Sequence, residues 1–154
     1  YSGGFYFYRK GRLSKSHQIK YINGLINKYS LEYVEDPLEE NDFDGFKEIK
    51  GELICGDDLI CTNLDRLKKS ENSINSVIIK PNQIGSLVKT KQVVDWAKLY
   101  NITPIISHRS GETKDNIISD LAVAWDIPYI KCGIFGKERL SKINRLKEIE
   151  NMIK

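Results

Sequence analysis

The stretch SHRSGETKD, Ser107 to Asp115, gathers hydroxyls, an imidazole, a guanidinium, a glycine and acids into one short run. It follows directly on the apolar segment Ile102-Thr103-Pro104-Ile105-Ile106. Upstream, Glu35, Asp57 and Lys80 each close a short apolar segment, and Lys131 closes another downstream. Two carboxylates offering oxygen-only ligation, without His or Cys, suit Mg²⁺, which keeps waters and needs few protein ligands. A divalent cation facing Lys80, His108, Arg109 and Lys131 would hold a polyanion such as a phosphorylated carboxylate. Lysine also serves as a base where nearby cations, a metal among them, disfavour its charged form and lower its pKa. Proton abstraction beside a carboxylate gives a dianionic enediolate, a charge that Mg²⁺ can stabilise.

These residues can act together only if the fold brings them together. The chain alternates strand and helix. Leu31 to Val34 reads as a strand stopped at Glu35-Asp36-Pro37, and Asn41 to Ile49 as a helix. Leu53 to Gly56 is a second strand, ending at Asp57-Asp58, and Asn63 is placed to cap a helix from Leu64 to Ser70. Val77 to Ile79 is a third strand, ending at Lys80-Pro81. Val88 to Tyr100 has helical spacing, with Val93, Val94, Trp96 and Ala97 available for a buried side. Pro104 to Ile106 is a fourth strand, followed by a helix from Asn116 to Trp125. Pro128 to Ile130 is a fifth, ending at Lys131-Cys132-Gly133. From Lys137 onward runs a long charged helix with Leu140, Ile143, Leu146 and Ile149 on one face.

Five βα units in succession imply parallel strands with crossover helices. The strands are apolar and barely alternate, as expected of strands buried on both faces. An open doubly wound sheet and part of a (β/α)₈ barrel both fit. The strand ends favour the barrel: Glu35, Asp57, Lys80, His108 and Lys131 each sit at the C-terminal end of a successive strand. A barrel collects such ends around one mouth, whereas an open sheet uses chiefly those near its switch point. Each group also has an ordinary reading. Polar strand ends meet water, Glu35-Asp36-Pro37 is turn chemistry, and Lys80 a solvated lysine. Five in register favour function. Asp58, Glu112 and Asp120 read as supporting or capping acids, Cys55 and Cys132 as buried packing residues, and His17 as exposed.

At 154 residues the chain has the length of about one domain, and its net charge of +3 is far from a nucleic-acid signature. No apolar run approaches the ~20 residues that span a bilayer, and no signal peptide is visible. Three cysteines without metal-type spacing suit a reduced, cytoplasmic setting. A start at Tyr1, with the only Met at Met152, reads as a polypeptide processed, excised or incomplete at its N-terminus.

Several motifs in order resemble the enolase (phosphopyruvate hydratase) family, from about Tyr29 onward. SHRSGETKD resembles its SHRSGET loop, and KPNQIG, Lys80 to Gly85, its K-V-N-Q-I-G segment in an archaeal-like form. VEDPLEENDF, GDDLICTN and ERLSKINRLKEIE resemble its E-D-P, D-D-L-x-x-T-N and C-terminal helix segments. The resemblance implies an α/β fold: five consecutive βα units forming the C-terminal part of an enolase-type TIM barrel, incomplete within residues 1–154. The N-terminal enolase domain and first barrel strands would be absent.

The implied activity is that of a lyase of glycolysis and gluconeogenesis, the reversible dehydration of 2-phosphoglycerate to phosphoenolpyruvate. By resemblance, Glu35 and Asp57 are Mg²⁺ ligands at the substrate site, and Lys80 is the base that takes the C2 proton. Ser107, His108, Arg109 and Ser110 hold substrate, with Arg109 and Ser110 on the phosphate and His108 counted with Lys80 among the catalytic groups. Lys131 binds the substrate carboxylate. The family's third Mg²⁺ ligand and its general-acid Glu would lie upstream of Tyr1. The chain would then act with an N-terminal enolase segment or self-associate as an oligomer. The alternative is a catalytically inactive half-barrel serving as a binding module. Neither nucleic acid nor membrane is an expected partner.

Overall fold

The computed structural model describes residues Tyr1–Lys154. It begins with a hairpin that the strand–helix reading above leaves out, β1 (Phe5–Tyr8) against β2 (Gly11–Ser14), followed by α1 (Lys15–Tyr29). The signal for α1 lies in Ile19, Ile22 and Ile26, spaced for one helical face: Ile19 and Ile26 are buried and Ile22 packs beside them. Then come β3 (Tyr33–Glu35), α2 (Phe43–Phe46), β4 (Leu53–Gly56), α3 (Leu64–Lys69) and β5 (Ser76–Ile79). They are followed by α4 (Pro81–Ile84), α5 (Leu87–Leu99), β6 (Thr103–Ser107), α6 (Ile117–Ala124), β7 (Tyr129–Lys131) and α7 (Lys137–Ile153). No helix is long and apolar enough to cross a membrane.

Strands β3 to β7 pair in chain order, every neighbour parallel. This is the expected succession of five βα units, with strand limits moved by one or two residues. The helix expected over Asn41 to Ile49 is shorter. Only Phe43–Phe46 is helical, capped by Asp42, whose side chain accepts from the Gly45 N–H. Phe46 and Ile49 are nonetheless buried, so the apolar signal came from packing rather than from a long helix. Asn63 caps α3 as expected, accepting from the Asp65 and Arg66 N–H groups.

The sheet is curled into a half-barrel. Flat, its edge strands would stand about 19 Å apart at ~4.8 Å per step. Yet Lys131 on β7 reaches Glu35 on β3 at 2.6 Å. Period-two alternation then sorts the side chains. Ile54, Val77, Ile79 and Ile106 join the main core of 23 buried residues on the outer, helix-covered face. Cys55, Ile78 and Ile105 form a separate cluster on the inner face. The register carries that inner row along each strand. Cys55 pairs with Glu35 and Ser76, Ile78 with Ile105, and Ile105 with Tyr129. Two residues beyond this row stand Asp57, Lys80, Ser107 and Lys131, with Glu35 beside Cys55 itself.

Helices α3, α5 and α6 bury Leu67, then Val93, Val94 and Ala97, then Ile118, Leu121 and Ala122. Trp96, expected on the buried side, is only half-buried and stacks on Tyr100 with ring centroids 4.1 Å apart. On α7 the expected apolar face is only partly covered: Leu140 is exposed, and the one buried residue is Lys142.

Phe46 is the largest fully buried side chain beneath the β3–β4 connection. Phe46→Ala is expected to cost about 3–5 kcal/mol in urea denaturation, the usual range for a buried phenyl truncated to a methyl. Leu99→Ala, at an exposed position on α5, is expected to leave the midpoint nearly unchanged.

Candidate active site

Four charged side chains meet at the C-terminal end of the curled sheet. Lys131 Nζ donates to both oxygens of Glu35 at 2.6 Å. Lys80 Nζ donates to Asp57 Oδ1 and Oδ2 at 2.7 and 2.6 Å. Each carboxylate is thus matched by one ammonium. Burial would raise the Glu35 carboxyl, but hydrogen bonds from Lys131 and Tyr33 outweigh it and hold the group below its ordinary value. At Asp57 burial pushes the carboxyl above its ordinary value, against the pull of the Lys80 ammonium.

Glu35, Asp36 and Asp57 each offer a carboxylate oxygen within 4.8 Å of the others. Asp36 is already engaged. Its two oxygens accept from the backbone N–H groups of Asp57 at 2.9 Å and Asp58 at 2.8 Å. Its backbone sits at φ +41°, a left-handed conformation that Asp tolerates better than most residues. Glu35 and Asp57 remain as the pair not tied to backbone: their oxygens meet the two ammoniums and the Tyr33 hydroxyl and lie within 4.8 Å of each other. An oxygen-only pair of this kind fits Mg²⁺.

Three supporting residues escaped the reading of strand ends. Tyr33, two positions before Glu35 and on the same face, donates its hydroxyl to Glu35 Oε2 at 2.5 Å. Thr62 is fully buried; its Oγ1 accepts from the Lys80 N–H at 2.9 Å and donates to Gln83 Oε1 at 2.9 Å. Asp36 is the third. The i, i+2 spacing could have found Tyr33; Thr62 is marked only as the T of the GDDLICTN segment, with no sign of what it holds. The N-terminal hairpin and α1 also bear on the site. Tyr6 Oη accepts from the Glu39 N–H, and Gln18 donates to the Pro37 carbonyl while accepting from Tyr8. They clamp the Glu35-Asp36-Pro37 turn from outside.

The SHRSGET run divides. Ser107 ends β6 on the inner face, and its hydroxyl hydrogen bonds to the His108 and Lys131 carbonyls. His108 steps off the strand into the loop, one residue past the inner-face position, where Nδ1 lies 3.1 Å from the Arg109 carbonyl. It shares with Ser107, Asn82, Glu112 and Lys142 the lining of a cavity of about 370 Å³. Arg109 and Ser110 are exposed on the loop, which turns at Gly111 with φ +76°. The structure therefore gathers two ion pairs, Glu35–Lys131 and Asp57–Lys80, with their carboxylate oxygens within 4.8 Å of each other, Ser107 and His108 on the neighbouring strand end and Arg109 and Ser110 outward.

Among the expected packing cysteines, Cys55 is fully buried, and burial pushes its thiol up to about 12. Cys132 is only half-buried, with Sγ 3.4 Å from two carbonyls, because it sits in the loop leading to α7. His17 is exposed, as expected. Asp120 is a clasp between α6 and α7, accepting from Arg145 at 2.7 and 3.0 Å.

The family model of the enolase C-terminal TIM barrel domain matches residues 8–154. The chain belongs to the enolase family. It is 46% identical over 157 aligned residues to the enolase of Natronomonas pharaonis, covering 97% of this chain and 39% of that protein. The enolase of Halobacterium salinarum is 44% identical over 97% of this chain and 39% of its own length. For that of Archaeoglobus fulgidus the figures are 42%, 99% and 40%. The chain thus spans about two fifths of the length of these enolases. The matched part of the chain contains all five parallel strands and the helices between them.

Asp36 ties the β3 turn to the start of the loop after β4. Asp36→Ala leaves two N–H groups without their acceptor and is expected to cost about 1–3 kcal/mol in urea denaturation. Asp36→Asn, which keeps an acceptor and tolerates the left-handed backbone, is expected to cost clearly less.

Proposed function

We propose that this chain carries the metal- and substrate-binding half of a phosphopyruvate hydratase, a lyase that reversibly dehydrates 2-phosphoglycerate to phosphoenolpyruvate in the cytoplasm. The observation that carries the reading is the meeting of two carboxylates and two lysines from four strands at one mouth. With Lys80 on Asp57 and Lys131 on Glu35 the charges balance. Carboxylates given to a divalent cation would leave both ammoniums facing an anionic substrate.

Glu35 and Asp57 would hold Mg²⁺. Bound there, the ion would supply fixed positive charge beside the substrate carboxylate. Lys80, held at its backbone by Thr62 and oriented by Asp57, is the base for the C2 proton. Lys131 binds the substrate carboxylate from the opposite edge of the curl. Ser107 and His108 line the adjoining cavity, and Arg109 and Ser110 reach the phosphate when the loop folds inward, the guanidinium offering a planar fork suited to it. The N-terminal enolase domain and the remaining barrel strands are supplied by a segment outside these 154 residues or by a second chain. Exposed edges support such association. Tyr33 on β3 and Tyr129 on β7 are exposed, as are Ile134 and Phe135 at 83% and 84%. Unpaired edge strands and the apolar groups beside them invite a partner.

Joined to an N-terminal enolase segment, the chain is expected to form phosphoenolpyruvate, followed by its absorbance. Lys80→Ala should lower turnover by at least ~10²–10⁴-fold, the usual share of a placed base. Glu35→Gln and Asp57→Asn should raise the Mg²⁺ concentration required, and EDTA should abolish turnover. Near-normal rates for Lys80→Ala, or full activity in EDTA, would overturn the reading. Without that segment the chain should self-associate in sedimentation and turn over no substrate. A monomeric, active chain by itself would contradict the proposed division of the site.

A further inference from the structure

Lys142 is the only buried residue of the 17-residue α7, and at 3% exposure it is an unusual place for a lysine. Its ammonium has three hydrogens and three acceptors. Nζ lies 2.6 Å from the Thr113 carbonyl, 2.6 Å from the Glu138 carbonyl and 3.1 Å from Glu112 Oε2. Ser119 on α6 fixes the backbone at the same point, donating to the Lys142 carbonyl at 2.8 Å. A buried cation so completely satisfied anchors whatever it holds, and it holds both ends of Glu112-Thr113 in the SHRSGET loop.

The other oxygen of Glu112 points away from Lys142 toward His108. Oε1 is buried and makes no hydrogen bond. It faces His108 Nδ1 at 3.4 Å, and Nδ1 also lies 3.1 Å from the Arg109 carbonyl oxygen. Both neighbours of Nδ1 are acceptors that carry no hydrogen. Only an N–H at Nδ1 is compatible with them, so the neutral ring places its proton there and leaves Nε2 free. We propose that Lys142 and Glu112 are positioning residues for His108: Lys142 holds one Glu112 oxygen so that the other, with the Arg109 carbonyl, keeps the ring proton on Nδ1 and reserves Nε2 for the ligand. The last helix of the chain thereby sets the hydrogen-bonding state of a group in the substrate loop. Only the identity of that ligand, a phosphorylated acid, rests on the dehydratase reading above.

The arrangement makes an unusual demand on Glu112→Gln. The amide oxygen must turn to the Lys142 ammonium, because an NH₂ group cannot face it. The NH₂ is then aimed at His108 Nδ1 and opposes an N–H there, so that the Arg109 carbonyl alone still favours it. The near-isosteric variant should therefore shift the ring proton from Nδ1 toward Nε2.

The chain contains only two histidines, so ¹⁵N-imidazole NMR of the full chain reads this directly, with exposed His17 as internal reference. At about pH 8.5, two units above the ordinary imidazole value, wild-type His108 should show the Nδ1–H form. Glu112→Gln should show a clearly larger share of Nε2–H, Lys142→Met a mixture of the two forms, and Lys142→Arg the wild-type form again, with His17 unmoved throughout. An Nε2–H ring in the wild type, or a Glu112→Gln ring identical to wild type, would overturn the proposal. Should Lys142→Met fail to fold, the Glu112→Gln pair of spectra decides alone. This readout needs no turnover, so it is separable from the dehydratase reading. In the assembled enzyme Glu112→Gln should also lower kcat/KM by up to ~10²-fold, the scale of a misplaced group. An assembled wild type without turnover would retire the reaction and leave the Lys142–Glu112–His108 device to stand or fall on the spectra.

Discussion

The constraint on which the rest depends is the contact between the two edge strands. Lys131 on β7 and Glu35 on β3 are 96 positions apart in sequence and four strands apart in the sheet, yet they share a bidentate ion pair. That contact requires the sheet to curl. Once it curls, period-two alternation points every inner-face side chain at the C-terminal end toward the same small volume. Glu35, Asp57, Lys80, Ser107 and Lys131 all occupy such positions. The buried apolar row of Cys55, Ile78 and Ile105 lies beneath them on the same face.

The electrostatics follow from that crowding. Carboxylates drawn out of water are costly unless matched and hydrogen bonded. Here each is matched by a lysine from another strand, and Glu35 by the Tyr33 hydroxyl as well. The match is exchangeable in kind. A carboxylate can be satisfied by an ammonium or by a hard cation, and an ammonium by a carboxylate of the protein or of a ligand. Around this centre the remaining polar groups are fixed by bonds of narrower purpose. Asp36 holds the backbone of Asp57, Thr62 that of Lys80, and Lys142 that of the loop beyond His108.

Much of this was legible in the sequence. Short apolar runs, each closed by an ionisable residue, announce parallel strands with a shared functional end, and Asn63 announces its cap. Glu35, Asp57, Lys80 and Lys131 meet as their positions suggested. His108 does not stand with them on the strand-end row: Ser107 takes that place, because which of two consecutive polar residues faces inward depends on register, and register is a property of strand pairs. The hairpin and α1 are harder to read: Ile19, Ile22 and Ile26 carry a helical period, but the segment lies ahead of the first strand run that an ionisable residue closes. What Thr62 and Lys142 hold could not be read locally, although both stand inside the GDDLICTN and ERLSKINRLKEIE segments. A buried threonine that holds a lysine's backbone, and a lysine buried in a charged helix, look like surface residues until the packing is known. Glu112 was marked as a supporting acid, and what it supports became visible only with α7 in place.

If the curl makes one binding site from strands that are distant in sequence, a bound cation must lie close to all of them at once. The most direct measurement is paramagnetic broadening by Mn²⁺, which shares the preference for oxygen ligands, in the NMR spectrum of the chain. Strong broadening is expected at Glu35, Asp57, Lys80, Ser107 and Lys131 together. Sharp signals are expected at the opposite strand ends, such as Asn75 and Thr103. Broadening that spares Lys131, or that scatters over exposed surface acids such as Asp44 and Glu148, would contradict a single shared site.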